Sequence, residues 1–184
     1  TTIATITSGN GTEHIIIDLN NTGVFQLLVE EVDVNGCSGY DSILVEIYTL
    51  PTPNIFALGP ISFCEGDSVR LQVDSSYSSS IWNTGSSALS ILVDTTGLYY
   101  IEVTDTNGCI NNSNTINVVA HPNPIADFIV DGICVNTPSK LINTSTISID
   151  NIVTSIWYLG NGDVVNGDSV LHTYILSGDY YAQL

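Results

Sequence analysis

One stretch of this chain occurs twice. Gly23-Val24-Phe25 leads through Asn35-Gly36-Cys37 to Pro51-Thr52-Pro53, and Gly97-Leu98-Tyr99 leads through Asn107-Gly108-Cys109 to Pro122-Asn123-Pro124. The copies are offset by 72 residues at the cysteine and by 71 at the first proline. That period is too long for a solenoid repeat and fits one small β-sandwich per copy. Units of roughly 70 residues lie near the small end of what folds alone, so each is expected to need a staple beyond its apolar core.

Between these landmarks the residue pattern is that of strands. β-Branched or alternating runs recur at 27–34, 43–47, 69–73, 90–93, 99–103 and 115–119, separated by Gly, Asn, Asp and Ser, and no segment holds a helical period. Asn35-Gly36 and Asn107-Gly108 each sit between two such runs, where Asn-Gly predicts a tight type I′ hairpin whose return strand opens with the cysteine. The Pro-x-Pro triplets follow the last strand of each copy. Proline cannot donate to a sheet ladder, so both triplets read as short, stiff boundaries. The expected fold class is all-β: tandem β-sandwich modules in a rod, at 1–50, 54–120 and 125–184.

The four cysteines show no C-x-x-C spacing and have no neighbouring histidine, which points to disulfides in an oxidising compartment rather than to zinc. Cys64 and Cys109 stand at the two ends of the middle module, and a Cys64–Cys109 bridge is the expected pairing. By the same register Cys37 matches Cys109 and Cys134 matches Cys64. Their partners are then expected before Thr1 and after Leu184, so that both outer modules are truncated. A Cys37–Cys134 bridge would require contact between non-adjacent modules of a rod.

Arg70 and Lys140 are the sole basic residues against 19 carboxylates, a net charge of −17, so nucleic acid and anionic membrane surfaces are repelled. The 43% hydrophobic content supports packed cores, but no apolar run approaches the roughly 18 residues that span a bilayer. The sequence has no start methionine and no signal peptide, and any targeting signal is expected outside it.

Little here suggests catalysis. His14, His121 and His172 are far apart in sequence, and no nucleophile-elbow, phosphate-loop or zinc-protease motif is present. Asn161, Asp163, Asn166 and Asp168 form a dense run of oxygen donors that suits either a calcium site or ordinary turn chemistry. Divalent ions at module junctions would also relieve repulsion among the carboxylates. Trp82 follows Cys64 by 18 residues and Trp157 follows Cys134 by 23, an order that places an indole in a sandwich core. Trp82, and the neighbouring Tyr99 and Tyr100, are alternatively sugar-contacting rings. Asn10-Gly11-Thr12, Asn20-Asn21-Thr22, Asn111-Asn112-Ser113 and Asn143-Thr144-Ser145 fit the N-glycosylation pattern.

The run from Gly97-Leu98-Tyr99 through Val103-Thr104-Asp105 to Asn107-Gly108-Cys109 resembles the ending of immunoglobulin-like repeats in very large surface proteins of Bacteroidota. Many of those are gliding-motility adhesins or other cargo of type IX secretion. Trp157-Tyr158-Leu159-Gly160-Asn161-Gly162, with His172-Thr173-Tyr174 and Gly178-Asp179-Tyr180, resembles a PKD domain, with Asn161 and Leu159 standing where that family usually has Asp and Phe. The resemblance implies a secreted, non-enzymatic segment at the cell surface. Its partners would be neighbouring modules of the same chain and, through a distal region, surface glycans or other cell-surface proteins. The alternative is a set of accessory, carbohydrate-contacting modules in a secreted hydrolase.

Overall fold

The computed structural model describes residues 4–9 and 12–184, so the first acceptor triplet, at Asn10 and Gly11, lies outside the described residues. The described chain is all-β, with eighteen short strands and no helix. By its contacts it falls into two compact units. One comprises Thr1–Leu58, Leu71–Ile91 and Leu98–Ile116, and the other Gly59–Arg70, Leu92–Gly97 and Asn117–Leu184. Residues 54–120, expected as one module, are thus shared between the two groupings.

In the first unit, β1 (Ala4–Ser8) pairs antiparallel with β2 (Ile16–Leu19), and β3 (Gly23–Val32) pairs antiparallel with β4 (Ser38–Ile47) over its full length. β5 (Ile55–Ala57) runs antiparallel to β7 (Val69–Val73). β8 (Ser79–Trp82) pairs with β11 (Ile101–Thr104), whose other edge carries β12 (Ile110–Asn112). Ile101 and Val103 alternate with the exposed Glu102, so one face of β11 is fully buried and the other is wet.

In the second unit, β6 (Ser62–Cys64) lies parallel to β13 (Ile116–His121). β14 (Phe128–Asp131), β15 (Pro138–Asn143) and β18 (Ser169–Thr173) form a sheet in that order, and β16 (Ile156–Tyr158) pairs with β17 (Val164–Asn166). Lys140 stands opposite Asp131 across the β14–β15 pair. The core here is Leu141, Trp157, Leu159 and Val170, with Phe128, Val165, Ala182 and Leu184 packed against it. Phe128 meets Trp157 edge to face, ring centroids 5.3 Å apart, and the Trp157 indole donates to the Gly167 carbonyl at 2.7 Å. Burying an indole while its N–H keeps a partner combines a large apolar area with no unpaired polar group.

Two remaining strands complete sheets: β9 (Ser90–Val93) joins β7, and β10 (Gly97–Tyr99) joins β13. The run expected as one strand over 99–103 is therefore broken at Tyr100. β10 belongs to one sheet and β11 to another, and Asn83 holds the break. Its side-chain oxygen accepts the Tyr100 N–H at 3.2 Å, and its side-chain amide donates to the Leu98 carbonyl at 2.8 Å.

Both Asn-Gly hairpins form, but not as two-residue type I′ turns. The first spans Asp33 to Cys37, with the Gly36 N–H on the Asp33 carbonyl at 3.0 Å and the Asp33 N–H on the Cys37 carbonyl at 3.0 Å. Positive φ occurs at Gly36 (85°) and Gly108 (84°) and not at the asparagines, which is the turn-plus-glycine-bulge pattern. The deciding residue is the aspartate two positions before the asparagine. Asp33 Oδ1 accepts the N–H groups of Asn35 and Cys37, both at 2.8 Å, and Asp105 Oδ1 accepts those of Asn107 and Cys109 at 2.8 and 2.9 Å. The return strands consequently begin at Ser38 and Ile110, one residue later than expected.

The expected Cys64–Cys109 disulfide is not formed. Among the described residues no disulfide joins any two of the four cysteines; Cys37, Cys64 and Cys134 are exposed and Cys109 is half-buried. Cys64 stands opposite His121 in the parallel pairing of β6 with β13, and Cys109 immediately precedes β12.

Candidate functional site

The oxygen-donor run at 161–168 divides into two parts. Gly160 and Gly162 (φ 77° and 98°) bend the chain after β16, and the Leu159 N–H bonds the Asp163 carbonyl at 3.0 Å. Inside this bend Asn161 and Asp163 satisfy each other. The Asn161 amide donates to Asp163 Oδ2 at 2.7 Å, and the Asp163 N–H donates to Asn161 Oδ1 at 3.1 Å. His172 Nε2 approaches the same pair, 3.7 Å from Asp163 Oδ2 and 3.2 Å from the Asn161 amide. Asp168 lies past the end of β17, where its carbonyl accepts the Asn143 N–H at 3.0 Å, and it takes no part in this cluster.

Calcium takes six to eight oxygen ligands. This bend offers one carboxylate and one amide oxygen that already accepts a backbone N–H, so the residues do not fit the ion. Among the described residues no three His, Cys, Asp or Glu side chains gather as ligands. The chemistry of the bend is structural. The Tyr174 hydroxyl donates to the Leu159 carbonyl at 3.0 Å, and its ring lies edge-on to His172 and stacked on Tyr180. Burial, with Tyr180 and Asp163 nearby, raises the Tyr174 phenol above its ordinary pKa.

Two of the three candidate sugar-contacting rings are buried. Trp82 is 1% exposed and its indole donates to the Ala88 carbonyl at 2.8 Å; Tyr99 is 7% exposed. Neither ring has a face open to a ligand. Tyr100, at the break between β10 and β11, is 38% exposed.

One arrangement escaped the sequence reading. Ser62 Oγ lies 2.9 Å from His121 Nε2, and His121 Nδ1 lies 3.6 Å from Asp150 Oδ2. Asp150 holds a left-handed φ of 73°. The order Ser–His–Asp is that of a hydrolytic triad. However, Ser62 is exposed, and His121 and Asp150 keep 48% and 63% of their side-chain surface. An activated serine needs a water-excluded cleft and fixed donors for the developing oxyanion. What this set does in the structure is tie the 150 loop to β6 through the end of β13. Ser62 and His121 are separated by 59 residues, and no local motif marks them.

The proline triplets are also held by side chains. Asn111 donates its amide to the Pro51 carbonyl at 2.8 Å, and Asn123 donates its amide to the Glu65 carbonyl at 2.7 Å. Each linker is thereby fastened to the body beside it. Both asparagines fall in turn-rich stretches, and nothing local distinguishes them from other asparagines.

Two clefts have a mixed polar and apolar lining. In the first unit a cleft of about 900 Å³ lies between the β1–β2 and β3–β4 hairpins and is lined by Ile6, Ile17, Leu27 and Val29 among others. In the second unit one of about 710 Å³ is lined by Val130, Leu141, Tyr174 and Tyr180 among others.

No protein-family model and no curated protein matches this chain.

Proposed function

We propose that the chain is a non-catalytic stalk segment of a large secreted cell-surface adhesin. In this reading immunoglobulin-like and PKD-like β-sandwiches in series hold a distal binding region away from the cell. The observation that carries the reading is the pair of fastened linkers: Asn111 on Pro51 and Asn123 on Glu65 restrain the two Pro-x-Pro segments that a flexible tether would leave loose. The twice-built Asp-x-Asn-Gly-Cys turn supports it, because matching hydrogen bonds in both copies fit modules multiplied for reach. Net charge of −17 spread over a Ser-, Thr- and Asn-rich chain suits an exposed, soluble shaft. The partners are then neighbouring modules of the same polypeptide, and the location is extracellular. Burial of Trp82 and Tyr99 weighs against the sugar-contacting alternative.

The test has two readouts on the 184-residue chain. On a glycan array a stalk binds nothing. When stretched between its ends in a force spectrometer it gives separate unfolding events rather than one. Selective glycan binding, or a single cooperative rupture, refutes the proposal.

A further inference from the structure

Asparagine followed by glycine is chemically labile as well as turn-forming. The glycine nitrogen, with no side chain to hinder it, attacks the asparagine carboxamide, and the side-chain nitrogen leaves as ammonia. The chain has five such pairs. Asn10-Gly11 falls outside the described residues, and the other four differ in what holds the attacking nitrogen. The Gly36 N–H is bonded to the Asp33 carbonyl at 3.0 Å, that of Gly108 to the Asp105 carbonyl at 3.2 Å, and that of Gly167 to the Ser155 carbonyl at 3.0 Å. The Gly162 N–H forms no hydrogen bond with any described residue. A Cβ at 162 would meet nothing within 4 Å, and Asn161 and Gly162 are both exposed, so water and base reach the pair.

The groups around the Asn161 carboxamide suit the reaction. Its Oδ1 accepts the Asp163 N–H at 3.1 Å, a donor placed for the negative charge this oxygen carries in the tetrahedral intermediate. Its Nδ2 donates to Asp163 Oδ2 at 2.7 Å, which fixes the orientation of the amide, and lies 3.2 Å from His172 Nε2. In the intermediate Nδ2 is an amine and can accept a proton, which an imidazolium at this distance supplies. His172 is met by Asp163 from the bend, by the phenol of Tyr174 on its own strand, and by the uncharged Ser139 opposite it on β15.

We propose that Asn161-Gly162 is a self-modification site, converted in the folded chain to aspartate or isoaspartate with His172 as the acid that releases ammonia. Hydroxide takes the Gly162 amide proton, and the nitrogen forms a bond to Asn161 Cγ. The Cγ–Nδ2 bond breaks, and Nδ2 leaves as ammonia with a proton from His172, which regains it from water. Water then opens the five-membered succinimide at either carbonyl. One water is consumed and one ammonia released, and nothing is oxidised or reduced. Either product sets a second carboxylate beside Asp163, and isoaspartate adds a methylene to the main chain of the bend. The proposal is independent of the stalk reading.

The test follows the four described pairs in the unaltered 184-residue chain by peptide mass spectrometry, after incubation folded and in urea. In the folded chain Asn161 is expected to convert about a hundredfold faster than Asn35, Asn107 and Asn166. In urea the four rates should converge. No lead for Asn161 in the folded chain, or a lead that survives unfolding, overturns the site. His172→Gln is expected to remove most of that lead, and an unchanged rate in the folded variant overturns the role of His172. The pH profile of the unaltered chain decides the same point without a substitution. The rate should rise with hydroxide and then level off as His172 loses its proton, whereas a rise that never levels overturns the acid step.

Discussion

Asn111 reaches back sixty residues to donate its side-chain amide to the carbonyl of Pro51, at 2.8 Å. A proline carbonyl in an interstrand linker otherwise faces water, and this bond fastens the first proline triplet to the sheet that follows. Asn111→Ala is expected to release the linker at a cost of about 1 kcal/mol. Backbone ¹⁵N relaxation reads the effect: order parameters at Leu50, Thr52 and Asn54 fall while those of β11 stay unchanged. Unaltered order at those three residues would show that the bond does not restrain the linker.

Asp33 makes the first hairpin sensitive to acid. The N–H groups of Cys37 and Asn35, in that order of effect, hold its carboxylate below the ordinary aspartate pKa. Glu30 is shifted the same way by the hydroxyls of Tyr40 and Ser38. A lowered folded-state pKa means a contribution that is complete above the ordinary carboxylate value and is lost as pH falls through the lowered one. Amide shifts of Asn35 and Cys37 are therefore expected to move with a midpoint below that of an unfolded aspartate. A midpoint at or above the unfolded value contradicts the turn geometry.

Gly160 carries the third prediction. Its φ is 77°, and a Cβ there would stand 2.7 Å from the Tyr181 backbone nitrogen. Gly160→Ala combines an unfavourable backbone with a clash against main chain, and a loss of about 2–4 kcal/mol is expected. Denaturant melts followed by tryptophan fluorescence in a Trp82→Phe background, where Trp157 is the sole emitter, measure it. Gly162→Ala serves as the comparison, because its φ is 98° but nothing lies within 4 Å of its Cβ, so its loss should be smaller. Equal losses would mean that the contact with Tyr181 is unimportant.

The Ser62–His121–Asp150 set is expected to hold the 150 loop rather than to catalyse. A fluorophosphonate probe should leave Ser62 unlabelled, and His121→Ala should speed hydrogen exchange in 148–152. Stoichiometric labelling of Ser62, abolished by His121→Ala, would instead identify an activated serine.

What the sequence reveals follows the reach of each interaction. The hairpins at Asn35-Gly36 and Asn107-Gly108 were legible because a turn is local, and strands at 69–73 and 90–93 because alternation is local. The turn type departs from the Asn-Gly preference because Asp33 and Asp105 outweigh it by supplying acceptors for two N–H groups each. The break at Tyr100 comes from Asn83, seventeen residues earlier, and no pattern within 99–103 encodes it. The neighbour of Cys64 is equally non-local: the parallel register of β6 on β13 sets it beside His121, 57 residues away. Both tryptophans are buried, the core alternative that the cysteine-then-tryptophan order suggests, whereas the fastened linkers depend on partners about sixty residues apart.

The turn built on Asp33, and again on Asp105, closes on itself within five residues. Nothing distant has to be found before its hydrogen bonds form, so the entropy of closing the loop is small and hairpin formation falls in the microsecond range. Every copy thus carries its own nucleation point. A polypeptide made of such copies can acquire structure one segment at a time, without its distant segments having to meet first.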